Sequence, residues 1–270
     1  MTEDANDDVM EQLSRIDTSV AHPARVFDYW LGGKDHYAAD RETGEQILKV
    51  MPELAIIARA EREFLARAVR HLVVEAGVRQ FLDIGTGIPS ADNTHEVAQA
   101  AAPEARIVYV DNDPIVLAHA RALLRGTDEG LTTYIDADLR DPATILEHAA
   151  KALDFTQPVG LMLLGVLEFV PDDEQAYTVV AELMRALPSG SYLTLASSVS
   201  SPEMDRAAAI WNDSGATPIT IRTTEQLMEF YKGMELVEPG MVSLPKWRPE
   251  PTTQYRGQEV SQYGAVGRKS

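Results

Sequence analysis

Between residues 81 and 196 the chain repeats one pattern. A short run of apolar, β-compatible residues gives way to a stretch with helical spacing, and then to another apolar run. The runs fall at residues 81–84, 106–111, 131–135, 159–164 and 191–196. Strands that alternate with helices predict a mostly parallel sheet covered by helices on both faces. The run at 159–164 is almost continuously apolar, as a strand buried on both faces should be. Two late runs, 235–242 and 262–267, form closing strands joined by a Pro-rich loop around Trp247. Ahead of the repeat, helices are expected at 24–31, ended by Gly32-Gly33, at 40–50, stopped by Pro52, and at 53–76, ended by Gly77. In the third, Leu54, Ile57, Ala58, Phe64, Leu65, Ala68, Val69, Leu72 and Val73 follow one helix face. Glu61 falls inside that stripe, either paired with a group such as Arg, at a partly wet edge, or facing a site. Further helices are expected at 94–102, with Asn93 as cap and Glu96 reaching back, and at 203–212 and 224–231.

The first strand of the repeat ends in Asp83-Ile84-Gly85-Thr86-Gly87. An acid at the end of a buried strand costs free energy unless something pairs with it. Gly85 and Gly87 remove Cβ atoms where the backbone turns and a ligand comes close. A dinucleotide-binding turn calls for Gly or Ala three residues after Gly87, and Ser90 stands there instead. The form Asp-x-Gly-x-Gly suits S-adenosylmethionine sites better. Asp111, with Asn112 beside it, ends the second strand, roughly 25 residues on, the length of a helix plus a strand in a βαβ unit. There it is placed to accept from both hydroxyls of a ribose, the alternative being a solvated strand end or a cap for the next helix. After the third strand, Asp138 is the candidate acceptor for an adenine amino group, with Leu139 covering the ring. The alternative is a polar loop in which Asp141-Pro142 starts a helix.

Composition narrows the field. The 270 residues suit one enlarged domain or a domain with a helical extension. There is no run of about 18 apolar residues to span a membrane, and the acidic start (Glu3, Asp4, Asp7, Asp8, Glu11) is unlike a signal peptide. Cysteine is absent, so there is neither a disulfide nor a thiolate zinc site, and a cytoplasmic location follows. The formal net charge of −18 repels nucleic acid at long range, and no Lys/Arg stripe offsets it. His22, His36, His71, His95, His119 and His148 show no paired ligand spacing, and no metal site is read from them.

The ordered set of Asp83-x-Gly85-x-Gly87, Asp111, Asp138, the strand before Glu168 and the turn at Ser189-Gly190 resembles class I S-adenosylmethionine-dependent methyltransferases. The segments Pro23-Ala24-Arg25-Val26-Phe27-Asp28-Tyr29-Trp30-Leu31-Gly32-Gly33-Lys34-Asp35, Gln80 to Pro89, Asn93 to Gln99, Val108 to Pro114, Trp247-Arg248-Pro249 and Tyr263 to Arg268 resemble one actinobacterial family of such enzymes, formerly catalogued as a domain of unknown function. The resemblance runs from about residue 20 to the end. It implies a Rossmann-like, seven-stranded, mostly parallel sheet with an antiparallel closing strand, preceded by an N-terminal helical extension. The division that follows is a disordered acidic N-terminus at 1–19, a helical cap at 20–76 and a cofactor-binding methyltransferase domain at 77–270. The implied cofactor is S-adenosyl-L-methionine, held by Asp83, Gly85, Thr86, Gly87, Asp111, Asn112, Asp138 and Leu139, with Gly33 and Lys34 added from the cap. In related enzymes an N-terminal segment folds over the cofactor. Residues 29–37 are therefore expected to form a lid, with Tyr29 or Trp30 meeting the sulfonium through a cation–π contact and Lys34 or His36 orienting the acceptor or the cofactor carboxylate. Glu168 follows the fourth strand, where small-molecule methyltransferases place an acceptor-facing residue, and is the candidate to act as a base or to orient an acceptor amine; the alternative is a surface carboxylate beside Phe169. The expected acceptor is a small molecule, with neither nucleic acid nor membrane as partner, and the protein a monomer or homodimer. Rival functions are a non-catalytic cofactor-binding regulator and a nicotinamide-dependent oxidoreductase.

Overall fold

The computed structural model describes residues 16–123 and 126–270. Residues 1–15, which hold most of the acidic N-terminal segment, lie outside the described residues. Three helices come first: α1 (Pro23–Leu31), α2 (Ala38–Val50) and α3 (Leu54–Val74). The alternating part follows as β1 (Gln80–Ile84), α4 (Thr94–Ala101), β2 (Arg106–Asp111), α5 (Pro114–Leu123), β3 (Leu131–Asp136), α6 (Pro142–Ala149) and β4 (Gly160–Leu164). A short 3-10 turn (Leu167–Phe169) leads to α7 (Asp173–Ala186), β5 (Tyr192–Ser198), α8 (Pro202–Asp213) and α9 (Thr224–Glu229). The chain closes with β6 (Met234–Leu236), β7 (Val242–Ser243), a second 3-10 turn (Leu244–Lys246) and β8 (Gln262–Lys269).

The strands form one sheet in the order β3-β2-β1-β4-β5-β8-β6, with β7 also on β8. Strands β1 to β5 pair in parallel and β8 runs antiparallel to β5. The period of two along each strand sorts side chains between the faces. Leu82, Ile84, Val108, Val110, Leu161, Leu163, Leu193 and Leu195 pack on one side with α6, α7 and α9. Phe81, Ile107, Tyr109, Met162, Tyr192 and Ala196 pack on the other, against α3 and α4. Asp83 shares the Phe81 face, so its carboxylate is turned toward α4.

The sheet has eight strands where seven were expected. The run expected at 235–242 breaks into β6 and β7, because Pro239 offers no N–H to a ladder and Gly240 turns the chain at φ +81°. Its two parts pair with opposite ends of β8: Met234 to Leu236 with Gly267 to Lys269, and Val242-Ser243 with Tyr263-Gly264.

The apolar stripe of α3 is buried as its spacing predicts. Its first turns, with Leu54 and Ile57, join α1, α2 and α8 in a separate cluster around Val26, Ile47 and Trp211. From Ala60 onward it packs on the sheet. Buried Asp40 ties the first helices together. It accepts from the His22 N–H at 2.9 Å, the Tyr37 N–H at 2.7 Å and Arg25 Nε at 3.1 Å. The same guanidinium donates to the carbonyls of Asp17 and Val20, at 3.0 and 2.7 Å, and so holds the chain ahead of α1. Among the described residues no helix is long and apolar enough to cross a membrane.

Candidate active site

The strand order reverses between β1 and β4, and a cavity of about 250 Å³ opens there, at the carboxyl ends of the strands. The glycine turn after β1 forms its floor. Gly85 has φ +75°, and a Cβ on it would stand 2.4 Å from a Val166 methyl in the loop after β4, so only glycine fits. Gly87 has φ +64° with nothing within 4 Å of the corresponding position, which leaves open space beside the backbone. Its N–H donates to Asp111 Oδ2 at 3.0 Å, and the Asp113 N–H donates to Oδ1 at 3.0 Å. Burial pushes the Asp111 carboxyl up, and those two N–H groups partly offset it. Each oxygen keeps a second lone pair for a ligand donor.

Asp83, Gly85, Thr86, Gly87, Asp111, Asn112, Asp138 and Leu139 all line this cavity. Thr94 at the start of α4 donates to Asp83 Oδ2 at 2.5 Å, yet burial still pushes that carboxyl up to about 6. The Asn93 N–H donates to Glu96 at 2.8 Å and fixes the helix start there. Asp138 is already engaged. Arg140 grips it through Nε at 2.8 Å, and Asn112 Nδ2 donates to it at 3.2 Å. The Arg140 hydrogen bond, with its charge, holds this carboxyl below the usual range.

A second group of acids meets the cavity above β4. Glu61 of α3 is buried against the β4 end, and a Cβ on Gly165 would lie 3.0 Å from its Oε2. Gln262 of β8 donates to that oxygen through Nε2. Burial, and then the neighbouring Glu168 charge, push the Glu61 carboxyl up to about 7. Glu168 is not the surface carboxylate of the alternative reading. It is buried, and its Oε1 accepts from the Ser198 N–H at 2.6 Å and from the Ser197 hydroxyl at 3.3 Å. Burial raises its carboxyl too. Arg222, fully buried, fixes the turn that carries Glu168 by donating to the carbonyls of Leu167 at 2.8 Å and Val170 at 2.7 Å and to Asp173 at 2.9 Å.

The cap contributes a different set of residues from the one expected. His22, Phe27 and Trp30 line the cavity, while Tyr29, Gly33, Lys34 and His36 do not. Tyr29 lies on the neighbouring face of α1, where Gly44 of α2 admits its ring: a Cβ on Gly44 would meet Tyr29 Cδ1 at 2.8 Å. Its hydroxyl approaches Glu45 at 3.4 Å. Asp28 accepts from His36 Nδ1 at 3.1 Å and from the Asp35 N–H at 2.9 Å, which folds the 32–37 loop back on α1 instead of over the cavity. A Cβ on Gly33 would strike that same Asp28 carboxylate at 1.9 Å, so this glycine serves the loop. Lys34 is exposed. Arg62, next to Glu61 on α3, lines the cavity where Lys34 does not, as does Arg140; the Arg62 Nε is buried without a hydrogen-bond partner. No motif marked Arg62, Arg222 or Gln262 in the sequence. Only the odd position of Glu61 in its apolar stripe did so for the acid beside them.

The profile of the S-adenosyl methyltransferase family matches residues 9–270. The chain belongs to this family. A solved DUF574 family protein from Streptomyces avermitilis is 46% identical, covers 95% of this chain and 100% of its own, and superposes with a TM-score of 0.90. A second solved structure, from Thermobifida fusca, is 40% identical over 94% of this chain and 97% of its own, with a TM-score of 0.86. The fold is shared at 14% identity with the magnesium protoporphyrin IX methyltransferase of Synechocystis, solved with bound S-adenosylhomocysteine (TM-score 0.53, covering 91% of this chain and 93% of that one). No curated protein matches the sequence. The protein is thus an S-adenosyl-L-methionine-dependent methyltransferase of the class I fold, which the sheet order with antiparallel β8 reproduces.

Proposed function

We propose that this methyltransferase acts on a small molecule, with the cofactor over β1 to β3 and the acceptor over β4, β5 and the cap. The observation that carries the reading is the cavity at the strand-order switch, which joins the glycine turn and Asp111 to an apolar chamber walled by Phe27, Trp30, Phe169 and Trp211. The residues fit the cofactor. The open space beside Gly87 admits a ligand against the backbone, and the free lone pairs of Asp111 suit ribose hydroxyls. Leu139 offers an apolar cover for the base, and Asn112 and Asp138 offer polar groups at its edge. Asp83 suits the ammonium of the methionine portion, and the unpartnered Nε of Arg62 suits its carboxylate, a task expected of Lys34 or His36.

Bound S-adenosylmethionine supplies an activated methyl group on a sulfonium leaving group. The protein's share is then to position the acceptor, exclude water and receive a proton where the acceptor must lose one. Glu61 and Glu168 are the groups in reach of that last task. Residues 20–76 serve as a cap on a methyltransferase domain of 77–270. The shared cluster of α1, α2, the start of α3 and α8 supports this, although α3 beyond Ala60 belongs to the sheet's own core. The net charge of −18 favours a small acceptor over a nucleic acid.

Calorimetric titration of the full chain with S-adenosylhomocysteine and, separately, with NAD tests the reading. Saturable binding of the former and none of the latter is expected; the reverse would assign the glycine turn to a nicotinamide cofactor.

A further inference from the structure

Holding a nucleoside does not account for the acids above β4. Glu61 and Glu168 are 6% and 9% exposed, yet both line the cavity. Gln262 is 3% exposed and lines it too; its Nε2 is committed to Glu61, and its Oε1 has no hydrogen-bond partner. A buried amide oxygen left unpaired costs free energy unless a ligand donor reaches it. The facing charges do not supply that donor. The groups around Glu61 are Glu168 from the 3-10 turn, Asp83 from β1 and Arg62 from its own helix. Arg62 donates from Nη2 to the Ala91 and Asp92 carbonyls at 3.1 Å each, and the Arg222 guanidinium is spent on the Glu168 turn. Acceptors therefore converge from three elements in a chamber otherwise walled by apolar and aromatic side chains. A neutral hydroxyl brings one donor and no charge to such a place, whereas an ammonium brings three donors and a positive charge.

We propose that the acceptor chamber binds an amine on an aromatic or aliphatic body, its ammonium held by Glu61, Glu168 and the carboxamide oxygen of Gln262. This rests on the division of the cavity into a cofactor half and an acceptor half. It carries a proton balance. Because the Glu61 carboxyl titrates near neutral pH, part of the free protein holds a proton there. An arriving ammonium favours the carboxylate, so that proton leaves to solvent on binding, up to one per site.

The test is calorimetric titration of the full chain, free and saturated with S-adenosylhomocysteine, with benzylamine, phenethylamine and tryptamine and with the matching alcohols, in buffers of different ionisation enthalpy at pH 7. At least one amine should bind about tenfold or more tighter than its alcohol and release protons. Glu61→Gln should remove the proton release, and Glu168→Gln should weaken the amine by about tenfold. Alcohols that bind as tightly as their amines, amines that release no proton, or amines that fail to bind at millimolar concentration with S-adenosylhomocysteine in place would each overturn the proposal. Should S-adenosylhomocysteine itself not bind, the cofactor assignment fails, and the amine-to-alcohol comparison on the free chain still decides this one.

Discussion

Glu61 lines the cavity, takes a hydrogen bond from Gln262 and faces the charge of Glu168, both brought to it from distant parts of the chain. Its burial gives it a pH effect. The carboxyl ionises at about 4.5 when free and at about 7 in the fold, so the folded chain binds the extra proton between those values. Stability then falls as pH rises through that window, and Asp83, pushed up to about 6, acts in the same direction. Glu61→Gln keeps the size and removes the ionisation. Its stability relative to wild type should rise by on the order of 3 kcal/mol between pH 4 and pH 8. Denaturant unfolding of both chains at the two pH values checks this; parallel pH dependences would show that Glu61 ionises as an exposed acid does. Tyr29 and Trp30 are neighbours on one helix, and the composition of the segment did not tell which one meets the cavity. Both pack at Gly44 of α2, and only Trp30 also reaches the cavity wall.

At the scale of elements, periodicity located strands β1 to β5 and β8 and most of the helices it bounded to within about two residues, but it gave no bounds for α5 and α7 and merged β6 with β7. The irregular parts were less legible because their conformation is set by distant contacts. The loop around Trp247 is an example. Trp247 is fully buried and packs edge-on against Phe64 of α3, ring centroids 5.3 Å apart. Arg67, one turn along the same helix, donates from Nε to the Trp247 carbonyl at 2.9 Å and from Nη2 to that of Leu244 at 2.8 Å. The loop therefore belongs to the core face that α3 shares with β1, and it braces the helix that carries Glu61 and Arg62. Trp247→Ala should cost about 3–5 kcal/mol of stability, the range for emptying a large aromatic site. Thermal or denaturant unfolding measures it. A loss below about 1 kcal/mol, no more than an ordinary surface change, would mean the loop is only draped over α3.

At the scale of the whole molecule, topology makes the site. Strands β1 to β3 fan out on one side of the switch and β4, β5 and β8 on the other, so the carboxyl ends of the parallel strands, with the amino end of antiparallel β8, form a crevice with two different halves. The acids at strand ends made the first half legible in the sequence, since each stood at a fixed point of a repeating unit. The second half is assembled from the cap, the Glu168 turn, α8 and β8, and no local pattern spans those elements. The central claim is that the first half, organised by Asp111 and Gly87, holds the nucleoside of S-adenosylmethionine. The most direct test is the affinity of the full chain for S-adenosylhomocysteine with and without the Asp111 carboxylate. Wild type should bind, and Asp111→Ala should lose about 1.5–3 kcal/mol, roughly ten- to hundredfold in Kd, while staying folded. An Asp111→Ala chain that binds S-adenosylhomocysteine as tightly as wild type would contradict the account.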